Sequence, residues 1–249
     1  MLFLLPVVGQ TTMVDLTTRG TGNTLNDAWF LEASMAPTKF SVYDPFVRIE
    51  KEGADQMQGY NTDGRINPGE VAPFDDNEDK RYTHSLLLTS VPRSRFGDVT
   101  YLEFMFDIKQ TGNNQLLSLD KLQLYQGIAD RLKNFTGEEF SDLGTPIWDL
   151  DLGTDGDNMI LLDYLLSEHN GKGDMFAYIP IAALKTGDYL LLYSQFKGVG
   201  ANDSNEDIHN DLVGEWAVGM ATQVPEPTTL LLLGLGLVGL VGARKKFQK

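Results

Sequence analysis

Thr100-Tyr101-Leu102-Glu103-Phe104-Met105-Phe106-Asp107-Ile108 decides the fold class of this 249-residue chain. Tyr101, Glu103, Met105 and Asp107 fall on one side of an extended backbone, and Leu102, Phe104, Phe106 and Ile108 fall on the other. A period of two sustained over the whole stretch predicts a half-buried strand with the Leu/Phe/Ile side inward. Further strands are predicted on either side of it. Phe40-Ser41-Val42-Tyr43, Phe46-Val47-Arg48-Ile49 and Thr83-His84-Ser85-Leu86-Leu87-Leu88 precede it. Ile160-Leu161-Leu162-Asp163-Tyr164, Met175-Phe176-Ala177-Tyr178-Ile179, Tyr189-Leu190-Leu191-Leu192-Tyr193-Ser194 and Glu215-Trp216-Ala217-Val218-Gly219 follow. All are short and rich in β-branched, aromatic or aliphatic residues, and nearly every gap holds Gly, Asn, Asp or Pro. Residues 119–125 place leucine at 119, 122 and 124 and read equally as strand or short helix. The one candidate amphipathic helix lies at 128–132. Many short strands separated by turn residues imply an all-β fold, an antiparallel β-sandwich of jelly-roll-like form. No repeat of fixed period is visible.

Composition narrows the function classes. The chain has 35 Asp and Glu against 20 Lys and Arg, a net charge of −15. Setting aside four basic residues and Glu226 at the C-terminus leaves 34 acids against 16 bases. Such a surface repels nucleic acid and anionic lipid and attracts cations or basic partners. With no cysteine there is no disulfide framework, thiol nucleophile or thiolate metal site.

Two acidic segments have cation-binding patterns. Asp149, Asp151, Asp155 and Asp157 put four carboxylates within nine residues; on a strand Asp149 and Asp151 share a face, and the other two can curl round from the turn. Carboxylates at that density either bind a cation, calcium being the candidate, or stand as solvated turn residues that repel one another. A weaker calcium candidate starts at Gly59. Asn61, Asp63, Asn67 and Glu70 occupy positions 3, 5, 9 and 12 of an EF-hand-like loop, and Gly64 occupies position 6. Gly59 stands where the first acidic ligand belongs, and Pro68 sits where an exiting helix would start, so an Asn/Asp/Gly loop between strands competes with it. Residues 75–79 and 202–207 read as exposed acidic loops.

Catalytic patterns are sparse. His84, His169 and His209 lie in separate segments, and the chain contains no G-x-S-x-G, H-E-x-x-H or phosphate-binding glycine loop. The expectation is a protein that is not an enzyme. A carboxylate pair for glycoside hydrolysis would have to be assembled by the fold. Trp29, Trp148 and Trp216 belong to the core unless they are exposed as a sugar-stacking platform.

The C-terminus is organised differently. Val224-Pro225-Glu226-Pro227 precedes an apolar run from Leu230 to Ala243, and Arg244-Lys245-Lys246 follows. As a helix, residues 228–243 would be roughly 24 Å long at 1.5 Å per residue. That is short for a bilayer core of about 30 Å, with threonines and snorkelling basic side chains making up part of the difference. The basic end should stay cytoplasmic, and the prolines favour an extended segment outside the membrane. A Pro-Glu-Pro triplet, a short apolar span and a terminal basic cluster, in that order, resemble the PEP-CTERM sorting signal of Gram-negative bacteria. The resemblance implies recognition by an exosortase and the export machinery, with cleavage near the triplet. It marks Val224, Pro225, Glu226, Pro227, Arg244, Lys245 and Lys246 as the sorting motif. Tyr43-Asp44-Pro45-Phe46-Val47-Arg48-Ile49, Gly59-Tyr60-Asn61-Thr62-Asp63-Gly64, His84-Ser85-Leu86-Leu87-Leu88, Leu117-Ser118-Leu119-Asp120, Gly173-Asp174-Met175-Phe176 and Glu215-Trp216-Ala217-Val218 also resemble a recurring ectodomain of such proteins, which implies no specific activity.

Three parts are therefore expected. Residues 1–14 form a signal-peptide remnant (Leu2-Phe3-Leu4-Leu5-Pro6-Val7-Val8) or a first strand. Residues 15–222 form the acidic β-sandwich, and residues 223–249 the sorting signal with a single transmembrane helix. The expected role is structural or adhesive, in surface or biofilm matrix material, with extracellular polysaccharide or other matrix proteins as partners and calcium as a stabiliser. The alternative is a carbohydrate-binding module or an anchored polysaccharide hydrolase.

Overall fold

A computed structural model describes residues 12–37, 42–51, 56–64, 74–77, 79–110, 116–131, 143–151, 157–166, 173–181, 184, 186–198 and 212–220. Regular structure among them is strand, apart from three single-turn 3-10 helices. In chain order the strands are β1 (Met13–Asp15), β2 (Gly22–Leu25), β3 (Ala28–Glu32), β4 (Tyr43–Lys51), β5 (Gln56–Tyr60), β6 (Leu86–Leu87) and β7 (Arg93–Phe96). Then come β8 (Val99–Gln110), β9 (Leu116–Gly127), β10 (Trp148–Asp149), β11 (Met159–Asp163), β12 (Met175–Pro180), β13 (Tyr189–Gly198) and β14 (Leu212–Gly219). Met13 and Val14 therefore already belong to the sandwich.

Two sheets form. One runs β1-β11-β9-β13-β5, with β10 on β9 and β6 on β13; the other runs β2-β3-β12-β8-β14-β4, with β7 on β8. Every ladder is antiparallel except β1 with β11. Between the sheets lies one apolar core. Phe106 stacks on Phe196 at 4.5 Å and tilts against Trp216 at 4.8 Å, and the Trp216 indole N–H donates to Ser194 Oγ at 3.0 Å. A buried indole needs such a partner, because an unpaired N–H there would cost about 1–3 kcal/mol.

The strand that decided the fold class is buried on both faces rather than one. Leu102, Phe104, Phe106 and Ile108 point into the main core as expected, but Tyr101, Glu103 and Met105 are buried too. Phe176 and Tyr178 on β12, Phe96 at the end of β7, and Tyr43 on β4 pack around them. The Glu103 carboxylate accepts from Ser94 Oγ at 2.7 Å.

The ambiguous segment 119–125 lies inside β9, and a bulge explains the ambiguity. The β13 register steps from Gln195↔Lys121 to Phe196↔Leu119, so Asp120 is skipped and the inward side shifts from Leu117 and Leu119 to Leu122 and Leu124. That shift turns a period of two into a spacing of three, which imitates a helix. The expected strand at 83–88 shrinks to β6, because Thr83 and His84 serve the edge of β4 instead: Arg48 N–H donates to Thr83 Oγ1 at 3.2 Å and His84 N–H to Phe46 O at 3.0 Å. No helix forms over 128–131, where Ile128 is exposed. The C-terminal helix expected at 228–243 lies outside the described residues.

Candidate functional site

The first calcium candidate is built at a short strand and its turn. β10 is two residues long, so Asp149 lies on a strand while Asp151 lies in the turn beyond it, and the shared strand face is not realised. Asp149 accepts from Gln123 Nε2 at 2.9 Å and from the Asp151 backbone N–H at 3.0 Å. Asp151 accepts from the Asn158 N–H at 2.7 Å, closing the turn. The buried Asn158 amide donates to Leu150 O at 2.8 Å and accepts from the Thr12 N–H at 2.9 Å. Asp157 is exposed with φ +58°, and Asp155 lies outside the described residues. Burial pushes the Asp151 carboxyl up, with the charges of Asp149 and Asp157 adding to the effect against the Asn158 hydrogen bond. Among the described residues no three acidic or histidine side chains are grouped to hold a metal.

The second candidate is divided between strand, core and loop. Gly59, in the place of the missing first ligand, is a buried residue of β5. A Cβ there would stand 1.9 Å from Asp76 Oδ1 and 2.8 Å from Ile49 Cγ1, so only glycine fits. Asn61 is buried, and its amide bridges β13 by donating to Leu190 O at 2.9 Å and accepting from the Leu192 N–H at 2.6 Å. It extends the β5–β13 ladder with a side chain. Asp63 accepts from Ser85 Oγ at 2.5 Å, and its N–H donates to Asp130 O at 2.9 Å. Asn67 and Glu70 lie outside the described residues.

One acidic pair has a structural role that the sequence did not reveal. Asp75 and Asp76, read as an exposed loop, lie between the outermost strands of the two sheets. On the β4 side, Glu50 N–H donates to Asp75 O at 2.8 Å and Asn77 N–H to Arg48 O at 2.8 Å. On the β5 side, Asp75 N–H donates to Gln58 O at 3.0 Å, Gln58 N–H to Asp75 Oδ2 at 3.0 Å, and Tyr60 N–H to Asp76 Oδ1 at 2.9 Å. The segment thus clasps both sheet edges, which would otherwise present unpaired backbone groups. Lys51 Nζ stands 3.1 Å from Asp75. The residue Asp76 is only half-buried, yet its carboxylate lies directly over Gly59. Burial drives that carboxyl well above the ordinary range; the Tyr60 hydrogen bond opposes the shift and the Asp75 charge adds to it. The available signal was Phe74, an aromatic residue just before the acids. It packs edge-on to Tyr60 at 5.5 Å and tilts against Tyr193 at 5.9 Å.

The remaining candidates are scattered. His84 is half-buried and its Nδ1 lies 2.9 Å from Ser85 O, while His169 and His209 lie outside the described residues. Trp148 and Trp216 are buried in the core, and Trp148 donates to Asn26 O at 2.9 Å. Trp29 on β3 is 38% exposed and meets Phe96 edge-on at 6.5 Å.

Val224, Pro225, Glu226, Pro227, Arg244, Lys245 and Lys246 lie outside the described residues, and here a comparison with known families supplies what geometry does not. Residues 223–246 match the PEP-CTERM protein-sorting motif. No curated protein and no solved structure matches the chain. The motif indicates an exported protein sorted by an exosortase through a membrane-anchored intermediate.

Proposed function

We propose that this chain is a bacterial surface or extracellular-matrix protein whose acidic ectodomain is structural or adhesive and performs no catalysis. The observation that carries this reading is the sorting motif at 223–246, which follows the last described strand of the two-sheet sandwich, β14. The fold is of jelly-roll type: β4, β5, β8, β9, β11, β12, β13 and β14 wrap into two four-strand sets, β4-β14-β8-β12 and β5-β13-β9-β11. Supporting the structural role, the side chains of Asp149, Asp151, Asn61 and Asp63 are engaged in holding strands and turns together. A calcium ion bound at this turn would stiffen it, drawing on ligands beyond Asp149, Asp151 and Asp157, which are not grouped to hold a metal by themselves. Intact-mass analysis of the mature protein from its own bacterium, with and without the exosortase, tests the sorting part. The expected result is loss of the residues beyond the Pro-Glu-Pro triplet only when the enzyme is present; an intact Lys249 in both strains refutes it.

Trp29 favours a second reading, a carbohydrate-binding module, because its exposed indole beside Phe96 offers a flat apolar surface for a sugar ring. Titration with the polysaccharide of the native matrix would quench Trp29 fluorescence if that reading holds. Identical titrations of the parent and Trp29→Ala proteins would remove it.

A further inference from the structure

Among the described residues the last backbone hydrogen bond at the C-terminal exit runs from Met220 N–H to Val42 O at 2.9 Å, and the sorting motif starts at 223. Only residues 221 and 222 separate them. β14 is an interior strand, paired with β8 on one side and β4 on the other, so peeling it away to lengthen the tether would open the sheet. From Met220 to Thr228 a fully extended chain spans at most roughly 26–29 Å. About 5–7 Å of that is taken up by the headgroup layer. In the anchored intermediate the exit end of the sandwich is therefore held within about 20 Å of the lipid headgroups.

Strand directions show which other residues share that end. β14 runs antiparallel to β4 and β8, so its exit lies beside the starts of both. The end of β9 and the start of β13 lie at the same end of the facing sheet, because β6, which pairs with the start of β13, follows closely on His84, whose N–H donates to Phe46 O near the start of β4. Exposed apolar side chains collect there. Val42 (48%), Leu87 (43%), Val99 (42%), Ile128 (83%) and Met220 (46%) are five of the nine exposed large hydrophobics among the described residues. The opposite end has Met35 and Leu165. Single exposed apolar residues are ordinary, but a gathering at the exit toward the membrane points to a surface that uses them.

We propose that this end of the sandwich rests on the bilayer surface while the tail is anchored, with Val99 and Ile128 reaching the lipid interface. The inference depends on the sorting reading, which supplies the anchor. Charge makes the contact apolar in kind. Asp27, Asp98 and Asp188 are exposed at this end alongside Arg93, Arg95 and Arg131, so the described residues form no cationic patch to recognise anionic lipid. Tethering supplies the effective concentration that a few apolar side chains lack alone, and removal of the tail would release the domain.

The absence of cysteine permits single labels in the full chain. Val99→Cys and Ile128→Cys would carry a nitroxide at the exit end, and Met35→Cys and Leu165→Cys at the far end. Each variant must melt like the parent before use. In vesicles of phosphatidylethanolamine with a minority of phosphatidylglycerol, the ratio of oxygen to nickel-chelate accessibility should be several-fold higher at Val99 and Ile128 than at Met35 and Leu165. Equal, water-like ratios at all four sites in a chain that remains with the vesicles would overturn the proposal and leave the sorting reading standing. Spin–spin broadening at Ile128 that grows with protein density would assign the surface to a second copy and overturn it as well. A chain that fails to pellet with the vesicles would refute the anchored state and the proposal together.

Discussion

Two acidic segments, Asp75-Asp76 and Asp149 to Asp157, have similar composition but opposite physical roles. In the first, the carboxylates turn inward and accept backbone N–H groups from β5 while the main chain pairs with β4, so the charge lies between two sheet edges. In the second, Asp149 and Asp151 close a turn and Asp157 remains at the surface. The difference shows that local acid density says little about what an acid does. What matters is which unpaired N–H groups the fold brings opposite it. At an edge between sheets an acidic side chain can replace a missing strand; at a turn it satisfies one or two amides and leaves its remaining oxygens free.

The contrast can be broken first beneath the clasp. Asn61→Ala removes the side chain that serves both Leu190 O and Leu192 N–H, leaving two buried backbone groups unpaired, and should destabilise the domain by about 3–4 kcal/mol in urea unfolding. A loss of that size that calcium does not offset would place Asn61 in the framework; full rescue by calcium would return it to a ligand set. Gly59→Ala comes next, at about 2–3 kcal/mol, because the added methyl meets both the Asp76 carboxylate and Ile49.

Asp76→Asn should act in the opposite direction. Its amide oxygen can still accept from Tyr60 N–H, and no buried charge remains. The folded-state carboxyl of Asp76 is raised above its unfolded value of about 3.9, so the native state binds the extra proton between those two points. Wild-type stability therefore falls as pH rises through that window, and the variant escapes that loss. The gain should be on the order of 1 kcal/mol at pH 7 and vanish near pH 3–4 in paired melting curves. An equal gain at both pH values would show that the carboxyl is not shifted upward. The smallest effect is expected at the turn. Asp151→Asn should change stability by less than about 1 kcal/mol without metal. If calcium binds there, the variant should also lose any calcium-dependent rise in melting temperature seen in the parent.

Most strands were legible because their side-chain periodicity is local. Residues 100–108 alternate without a break, and both the extended conformation and the inward set Leu102, Phe104, Phe106 and Ile108 follow from that. Residues 119–125 were ambiguous because the bulge near Asp120 is a property of the β9–β13 pair, and β13 lies some seventy residues later. Thr83 and His84 misled for a related reason: their bonding groups serve β4, thirty-five residues upstream for Thr83. Among the candidate ligands, Asn61 illustrates the limit. A loop pattern records where an oxygen falls in the chain, and it carries no information about the β13 backbone that engages it.

The sequence alone determined the all-β class, the acidic surface, the lack of thiol chemistry and the sorting signal. Each of these depends on residue type, short-range periodicity or an ordered motif at one end of the chain. Tertiary structure decided the second buried face of β8, the clasp at Asp75 and Asp76, the framework role of Asn61 and the presence of several exposed apolar residues at the end of the sandwich where β14 exits. Those depend on which distant backbone or side-chain groups face one another. Hydrogen bonds and burial are fixed in space, and a carboxylate or amide acquires its role only when folding sets its partner beside it.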